Sequence, residues 1–585
     1  MKLKNFFKSF CFVLACILML STVIIPTTAE STAPDGSWAN YVTEVTVEAD
    51  NSYIVDTAGE LAWLLNATLT GNPTVYITDD IDLSAHYWPG IASFSGTIIG
   101  KKDGTEDAAV TISGMTSEEN LNASWAFILA SSGLTMQNVK FTGANGSILA
   151  SAAISVICAE VSTSAVFKNV TVSSSTLNST KEESLLCVGG VIGRTKDKTD
   201  ITMTNVMVSD LTLNAKTHAV GGVIGRVTNN STAMLQDVHV TGLTASTTKT
   251  GVGGIIGRIA DGGSSKGTIL LDRCFVANSM IESTDNTAGG LVGFANVCNL
   301  IFMNCELGDD VTIKPDDSGK NIGAYFGEAG NDAANNVAVA LLNCKWSATY
   351  DAFGNPAHQF VCYTTCDAAA RNNNHRITFK RVAPIMLAGA SIRTNEGTNG
   401  LRFTSTVDDA TAQAGLNALG ATVSYGTLIC QADQLEKATD FTQAALLASG
   451  SSLYTTITAK NGVTTDTDGN VTKFNAALVV DLDEKATEYA ARSYADITIT
   501  MGNKTVTTRV YSDYSADDNV RSMEEVANAA LADVKDEKIT GTPDGYDYIF
   551  AVTTLDNETK YSCYSASEYE VLKTWASATE TGDEA

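Results

Sequence analysis

Cysteine is scarce in this sequence, with twelve in 585 residues. Two of them, Cys11 and Cys16, lie in an apolar N-terminal segment that we expect to be cleaved. The others are scattered along the rest of the chain, far below the density of small domains held together by disulfides. Since 44% of the residues are hydrophobic, we expect buried apolar side chains to stabilise several folded parts.

Basic residues are also few, with 38 Lys and Arg against 65 Asp and Glu, which gives a formal net charge of -27. A chain this acidic repels phosphate backbones and anionic lipid surfaces. The composition therefore argues against nucleic acid and against anionic membranes as partners.

Long apolar runs are missing outside residues 1–29. There, three lysines within the first eight residues precede an apolar run, and small residues at positions 27 and 29 fit a signal-peptidase site. A faint lipoprotein-like site ends at Cys16, but the apolar run continues past it, which favours a signal peptide and secretion. No second stretch approaches the roughly 20 apolar residues that span a bilayer, so we expect no membrane span in the mature chain.

Glycine pairs, by contrast, recur at a regular period. CVGGVIGR, AVGGVIGR and GVGGIIGR begin at 187, 219 and 251, and TAGGLVGF and IGAYFG follow at 287 and 322. Runs rich in Val, Ile, Leu and Thr follow each motif and predict short strands. A unit this small buries its apolar face only against the next unit, so the period predicts a parallel β-helix, or β-solenoid. The glycines are expected to permit tight corners and close backbone approach.

Stacking of these units predicts columns of equivalent side chains. We expect a corner column of short polar side chains, interrupted at Arg273, that hydrogen-bond turn backbone: Asn138, Asn169, Asn205, Asp237, Asn304 and Asn343. The next position predicts an inward apolar column: Val139, Val170, Val206, Val238, Cys274, Cys305 and Cys344.

TAGGLVGFAN, at 287–296, resembles the GLUG motif of bacterial secreted and surface proteins. VDTAGELAWLLN at 55–66, DIDLSAHYWPG at 80–90 and FSGTIIG at 94–100 are similar to the segment that commonly precedes such repeats. The resemblance covers about residues 50–350 and implies a β-helix. Thr57 and Glu60 have capping-box spacing, which predicts a short helix at the end of the solenoid.

Proteins that resemble this region include IgA-specific metallopeptidases and adhesin-like proteins. A peptidase of that kind would need HExxH, in which two histidines one helical turn apart bind zinc. The five histidines lack that context, so the peptidase activity does not carry over: His86, His218, His239, His358 and His375.

The repeat pattern fails after about residue 350, and alternating strands resume beyond residue 390. These predict a β-sandwich-like domain closed by a helix near 521–534, which resembles a module of secreted clostridial proteins. The fold class is therefore all-β, a parallel β-helix followed by a β-sandwich-like domain with a short C-terminal helix. The predicted domains are a signal peptide (1–29), a capped solenoid (30–350), a cap or linker (351–383), the sandwich (384–540) and an extension (541–585).

Arg194, Arg226 and Arg258 occupy one position of the glycine repeat. Registered stacking would bring their guanidinium groups into a single column on an acidic protein. They are candidates for a stripe that binds carboxylates or sulfates, because guanidinium forks suit planar anions. The alternative is that they splay into solvent or pair with acidic neighbours.

His358, Cys362, Cys366 and His375 include enough ligand types for zinc, but their spacing matches no familiar structural-zinc pattern. A Cys362 to Cys366 disulfide or free thiols are favoured, and we expect no cofactor. Asp79, Asp80 and Asp82 are candidates for catalysis or calcium, but solvated turn positions explain them better.

Two further short motifs fit simple structural roles. Asp466, Asp468 and Asn470 flank Gly469 and predict a hairpin turn rather than a calcium loop. Residues 263–267, GSSKG, formally match GxSxG, but they lie between two repeat strands rather than before a helix.

These observations predict a secreted, adhesin-like or surface protein that presents its β-helix to a glycan or to a cell-surface or matrix protein, without catalysis. The alternative is an extracellular polysaccharide lyase or glycoside hydrolase, since solenoids also host such enzymes. A third possibility is a purely architectural spacer.

Overall fold

The computed structural model describes residues 34–576 except 49, 103–104, 106–107, 150–152, 181–185, 217, 250, 261, 264, 285–286, 316–320, 330–336, 347–349, 351–359, 364–376, 395–397, 452, 461–462, 533–547 and 556–557. The predicted signal peptide lies outside these residues. Among the described residues, no helix is both long and apolar enough to cross a bilayer.

The first part of the chain is a parallel β-solenoid, as the repeats predict. It begins with β1 (Thr46–Val47), β2 (Ser52–Val55) and helix α1 (Ala58–Trp63), whose predicted capping box between Thr57 and Glu60 is present. The strands that follow are β3 (Thr74–Ile77), β4 (Ile81–Asp82), β5 (Gly96–Gly100), β6 (Val110–Ser113), β7 (Ile128–Thr142), β8 (Asn145–Ile148), β9 (Ala153–Ser155), β10 (Cys158–Ser179), β11 (Cys187–Gly189), β12 (Ile192–Thr195), β13 (Asp200–Ala215), β14 (Val220–Gly221), β15 (Ile224–Val227), β16 (Thr232–Thr241), β17 (Thr244–Thr247), β18 (Val252–Gly253), β19 (Ile256–Ile259), β20 (Gly267–Asp272), β21 (Phe275–Ala277), β22 (Met280–Ser283), β23 (Thr287–Gly289), β24 (Val292–Ala295), β25 (Cys298–Met303), β26 (Glu306–Leu307), β27 (Thr312–Pro315), β28 (Asn321–Gly323), β29 (Phe326–Ala329), β30 (Val337–Leu342), β31 (Phe360–Cys362) and β32 (Ile377–Phe379). Parallel pairing continues from β30 to β32, beyond residue 350.

The glycine motifs stand in register on successive rungs, with Gly189 opposite Gly221 and Gly221 opposite Gly253. A Cβ on Gly189 would lie 2.0 Å from the Ile192 carbonyl oxygen, and one on Gly190 would lie 2.2 Å from that of Gly222. Neither glycine has a positive φ. Close backbone approach, rather than an unusual backbone angle, therefore requires glycine here.

The predicted polar corner is a column of left-handed residues. Asn138, Asn169 and Asn205 have φ of +56°, +54° and +53°. The Asn169 Nδ2 donates to Asn138 Oδ1, and Asn205 Nδ2 donates to Asn169 Oδ1, both at 2.9 Å. Arg273 adopts the same conformation, with φ of +50°, so the interruption changes the residue type but not the backbone.

The inward column that follows this corner is buried throughout, as expected: Val139, Val170, Val206, Val238, Cys274, Cys305 and Cys344. These side chains belong to one continuous core that runs along the solenoid. Each rung thus completes the interior of its neighbour.

The second part of the chain contains two antiparallel sheets. The first holds β33 (Ile385–Met386), β34 (Ser391–Arg393), β35 (Gly400–Thr406), β38 (Thr464–Thr465) and β39 (Val471–Val479), and the second holds β36 (Ala421–Gln431), β37 (Tyr454–Thr458), β40 (Tyr489–Met501), β41 (Lys504–Tyr511) and β42 (Val520–Arg521). The helices are α2 (Ala410–Ala418), α3 (Gln443–Ala448), α4 (Ala516–Asn519), α5 (Met523–Ala532) and α6 (Ala566–Trp575), and a hairpin joins β43 (Tyr548–Leu555) to β44 (Glu558–Tyr564). Side chains of both sheets share a buried core, for example Phe403 with Ile429.

The sandwich packs against one flank of the solenoid. Outward side chains on β16, β20 and β25, namely Met234, Leu270 and Ile301, are buried in a cluster with Tyr425 and Ile497 of the sandwich. This contact, which the repeat pattern does not predict, fixes one flank of the solenoid against the second domain.

Candidate functional site

The three arginines form the predicted column. They lie on β12, β15 and β19, with Arg194 opposite Arg226 and Arg226 opposite Arg258. All three are partly exposed. Adjacent strands are about 4.8 Å apart, so the three backbone positions span roughly 10 Å along the solenoid.

Glu160 stands one rung before Arg194 in the same register. Its carboxylate accepts hydrogen bonds from Arg194 Nε at 2.7 Å and pairs with Arg194 Nη2 at 2.6 Å and with Lys196 Nζ at 2.7 Å. Burial raises the pKa of Glu160, but the hydrogen bond from Lys196 and the charge of Arg194 outweigh it and hold this pKa below its ordinary value. One end of the arginine column therefore already binds a carboxylate.

An aromatic residue follows the other end of the column. Phe294 lies opposite Arg258 on the next strand. The Arg258 guanidinium carbon stands 4.5 Å from the centre of the Phe294 ring, a cation–π distance. Glu328 then follows Phe294 in register and accepts a hydrogen bond from Thr287 Oγ1 at 2.5 Å.

A surface depression of about 570 Å³ opens beside this column. Its charged lining residues are Arg194, Lys196 and Arg226 against Glu160 and Asp197. The excess of cations is local, since the whole chain has a net charge of -27. The depression can therefore accept an anionic group at the side of the column.

Sequence reasoning found the arginines but not their neighbours. Phe294 could have been found by aligning TAGGLVGF with GVGGIIGR, because it occupies the arginine position of that unit. Glu160 gave no such signal, since the stretch around it lacks the glycine pair.

Of the weak metal candidates, Cys362 alone lies within the described residues. Cys362 is disulfide-bonded, so its sulfur is not available as a thiolate ligand. The others, His358, Cys366 and His375, lie outside the described residues. Within the described residues, no group of three or more His, Cys, Asp or Glu side chains is placed to hold a metal ion.

The early acidic group makes structural contacts. Asp82 accepts a hydrogen bond from the Ser84 amide at 3.0 Å, which fits the turn role that the sequence favoured. Asp80 differs from that expectation, because it accepts hydrogen bonds from Lys102 Nζ at 2.5 Å and from the Thr111 amide at 2.8 Å, both in later segments of the chain.

The two other short motifs also form local structure. Asp466 accepts hydrogen bonds from the amides of Asp468 and Asn470, around a Gly469 with φ of +82°, as in a hairpin turn. The GSSKG motif ends at Gly267, which begins strand β20. A strand rather than a helix therefore follows it, in contrast to a nucleophile elbow.

No protein-family profile matches the chain, and no curated protein matches it either. The GLUG resemblance therefore remains a prediction. Two solved structures of the tailspike protein of E. coli bacteriophage HK620 match the chain weakly. A double mutant is 10% identical, covers 81% of this chain and 87% of that chain, and has a TM-score of 0.20. A complex with a pentasaccharide is 10% identical, covers 76% of this chain and 81% of that chain, and has a TM-score of 0.16. Similarity this low supports no inference about the present protein.

Proposed function

We propose that the protein is a secreted, non-catalytic binding protein whose solenoid recognises carboxylated or sulfated glycans. The observation that carries this proposal is the registered column of Arg194, Arg226 and Arg258. Two guanidinium groups separated by the strand spacing of about 4.8 Å would repel each other by about 1 to 3.5 kcal/mol at an effective dielectric constant between 80 and 20. An anion held between neighbouring rungs would relieve that repulsion.

Glu160 indicates the chemistry of the ligand. Its carboxylate receives a guanidinium and an ammonium group at 2.6 to 2.7 Å. A uronate carboxylate or a sulfate offers the same planar or multidentate acceptors to Arg226 and Arg258. The rungs repeat along one axis, so a linear glycan with regularly spaced acidic groups would meet successive arginines. Secretion is part of the proposal, and the disulfide at Cys362 is compatible with an oxidising compartment.

The test is retention of the mature protein on a panel of oligouronates, sulfated glycans and neutral glycans. We expect binding to acidic glycans that falls with salt and at least tenfold loss in a triple Arg194→Gln, Arg226→Gln, Arg258→Gln variant. The matched control replaces three exposed solenoid lysines by glutamine, namely Lys140, Lys168 and Lys345, with the same change in net charge.

Two results would contradict the proposal. Equal loss of binding in the arginine and lysine variants would show that net charge alone attracts the glycan. Release of new reducing ends or unsaturated uronates from a bound glycan would show that the protein is an enzyme, and the non-catalytic part of the proposal would fail.

A further inference from the structure

An uncharged polar ladder runs along another face of the solenoid. Asn178, Asn214 and Ser246 stand in register on β10, β13 and β17. Asn214 Nδ2 donates to Asn178 Oδ1, and Ser246 Oγ donates to Asn214 Oδ1, both at 3.1 Å. Each amide is thereby held in a fixed orientation, with capacity left for further hydrogen bonds.

A second outward column lies beside this ladder, two residues earlier on each strand, and its members are in register and half-buried: Thr176, Thr212 and Thr244. Amides and hydroxyl groups therefore repeat at about the strand spacing of 4.8 Å. Over these three rungs the two columns present donors and acceptors without fixed charge, and Glu282 follows Ser246 in register on the next rung.

The ladder borders a depression of about 500 Å³ that shares no lining residue with the arginine depression. Among the described residues that line it, Lys216 is the only charged one. The remainder are Ser, Thr, Asn and Ala. The lining thus suits a neutral ligand that both donates and accepts hydrogen bonds.

One hydroxyl group at this depression is buried without a partner. Thr248 lines the depression, and its Oγ1 has no hydrogen-bond partner within the described part of the chain. Native proteins satisfy the large majority of such groups, so Thr248 points to a missing hydrogen-bonding partner at this place. The unpartnered Ser179 hydroxyl is a different case, because Ser179 stands in register with the buried Ile148 and faces the core.

We propose that this depression is a second binding site, for uncharged oligosaccharides. Sugar hydroxyl groups donate and accept, and a pair of neighbouring hydroxyls matches the acceptor and donor of one side-chain amide. Asn178, Asn214 and Ser246 contact the outer hydroxyls of the chain, and a small rotation of Thr248 supplies an inner contact. The site acts separately from the arginine column and does not depend on the function proposed for it.

The test is titration of the mature protein with neutral hexasaccharides of the glucan, mannan, galactan and xylan types, followed by calorimetry. We expect binding of at least one of them, and loss of about tenfold in affinity in an Asn214→Ala, Ser246→Ala variant, since each lost hydrogen bond contributes several-fold. The control is Ser209→Ala, Thr241→Ala, which removes two half-buried polar side chains in register on another face and should leave affinity unchanged.

Thr248→Val provides a second variant that keeps the ladder intact. It should weaken binding severalfold without lowering the melting temperature, because the hydroxyl group that it removes has no partner among the described residues. The triple arginine variant should bind the neutral hexasaccharide like the wild type.

Three results would overturn the second site. These are no binding by any of the hexasaccharides, affinity unaffected by both the ladder variant and Thr248→Val, or loss of neutral binding in the triple arginine variant. The first two results would not contradict the proposed role of the arginine column, because that role is tested with acidic glycans.

Discussion

Replacing Glu160 by glutamine should weaken the fold while strengthening binding of acidic glycans. The carboxylate of Glu160 is 16% exposed, its partner Arg194 is 27% exposed, and Lys196 is 59% exposed. A hydrogen bond to a charged group contributes about 1.5 to 3 kcal/mol, and the pair with Lys196 adds little because solvent screens it. We therefore expect the free energy of unfolding of the solenoid to fall by about 1.5 to 3 kcal/mol.

The same substitution removes a negative charge beside the anion site and releases Arg194 and Lys196 for the ligand. A carboxylate one rung away repels a ligand carboxylate by about 1 to 3.5 kcal/mol before salt screening. About tenfold tighter binding at low salt is a conservative expectation, and the gain should shrink in 150 mM salt, where the screening length is about 8 Å.

The assay is calorimetric titration of Glu160→Gln with an oligouronate at two salt concentrations, together with thermal unfolding of the free protein. Glu306→Gln is the control, since Glu306 is exposed on another face of the solenoid and the substitution removes the same negative charge. Unchanged or weaker binding by Glu160→Gln, at reduced stability, would refute the reasoning, because it would mean that the arginine column does not contact the anion.

Three further predictions concern pH and the repeat. Because the pKa of Glu160 is lowered in the folded protein, its ion pairs stabilise the fold fully above the ordinary glutamate pKa of 4.5. This stabilisation is lost as pH falls through the pKa of the folded state. The free energy of unfolding, measured from pH 7 to pH 3, should therefore fall less at the acid end in Glu160→Gln than in the wild type, and equal decreases would contradict this. Asn205→Ala should lower the free energy of unfolding, measured in urea, by about 1 to 2 kcal/mol, since alanine tolerates the left-handed φ of +53° poorly. Asn205→Gly should lower it by less, because glycine adopts this φ readily. Equal effects of the two substitutions would show that backbone conformation is not the cause. Gly221→Ala should prevent accumulation of folded protein, because its Cβ would lie 2.0 Å from the Ile224 carbonyl oxygen. In the control Gly133→Ala, the new Cβ meets nothing closer than 3.8 Å, so this variant should fold normally. Similar yields of soluble protein from the two variants would contradict the close-packing argument.

The sequence predicted most where the solenoid repeats itself. The glycine pairs, the left-handed asparagine corner and the arginine column share a period, and the period alone assigns them to equivalent places on successive rungs. Arg273 shows the limit of that reasoning. It breaks the residue pattern yet keeps the backbone angle, and its guanidinium pairs with Asp237 at 2.7 Å and also with Asp272.

The contact between the two domains could not be read from the period. It is made by outward side chains that a solenoid alone would expose. One signal was present, since the runs ILL at 269–271, LIFM at 300–303 and VALL at 339–342 are apolar without alternation. Unbroken apolar strands are typical of sheets covered on both faces, and here the sandwich covers the second face. What covers such a face cannot be inferred from the strands themselves.

The arginine column has a consequence for how this protein could change over evolutionary time. Each 32-residue unit between the glycine pairs at 189, 221 and 253 adds one guanidinium to the row. In-frame duplication of the unit between 189 and 221, which precedes the strands packed against the sandwich, would therefore lengthen the row by a single step. Avidity for a polyanion would then be set by copy number, so that gene-length variation alone could tune how strongly related chains hold the same polymer.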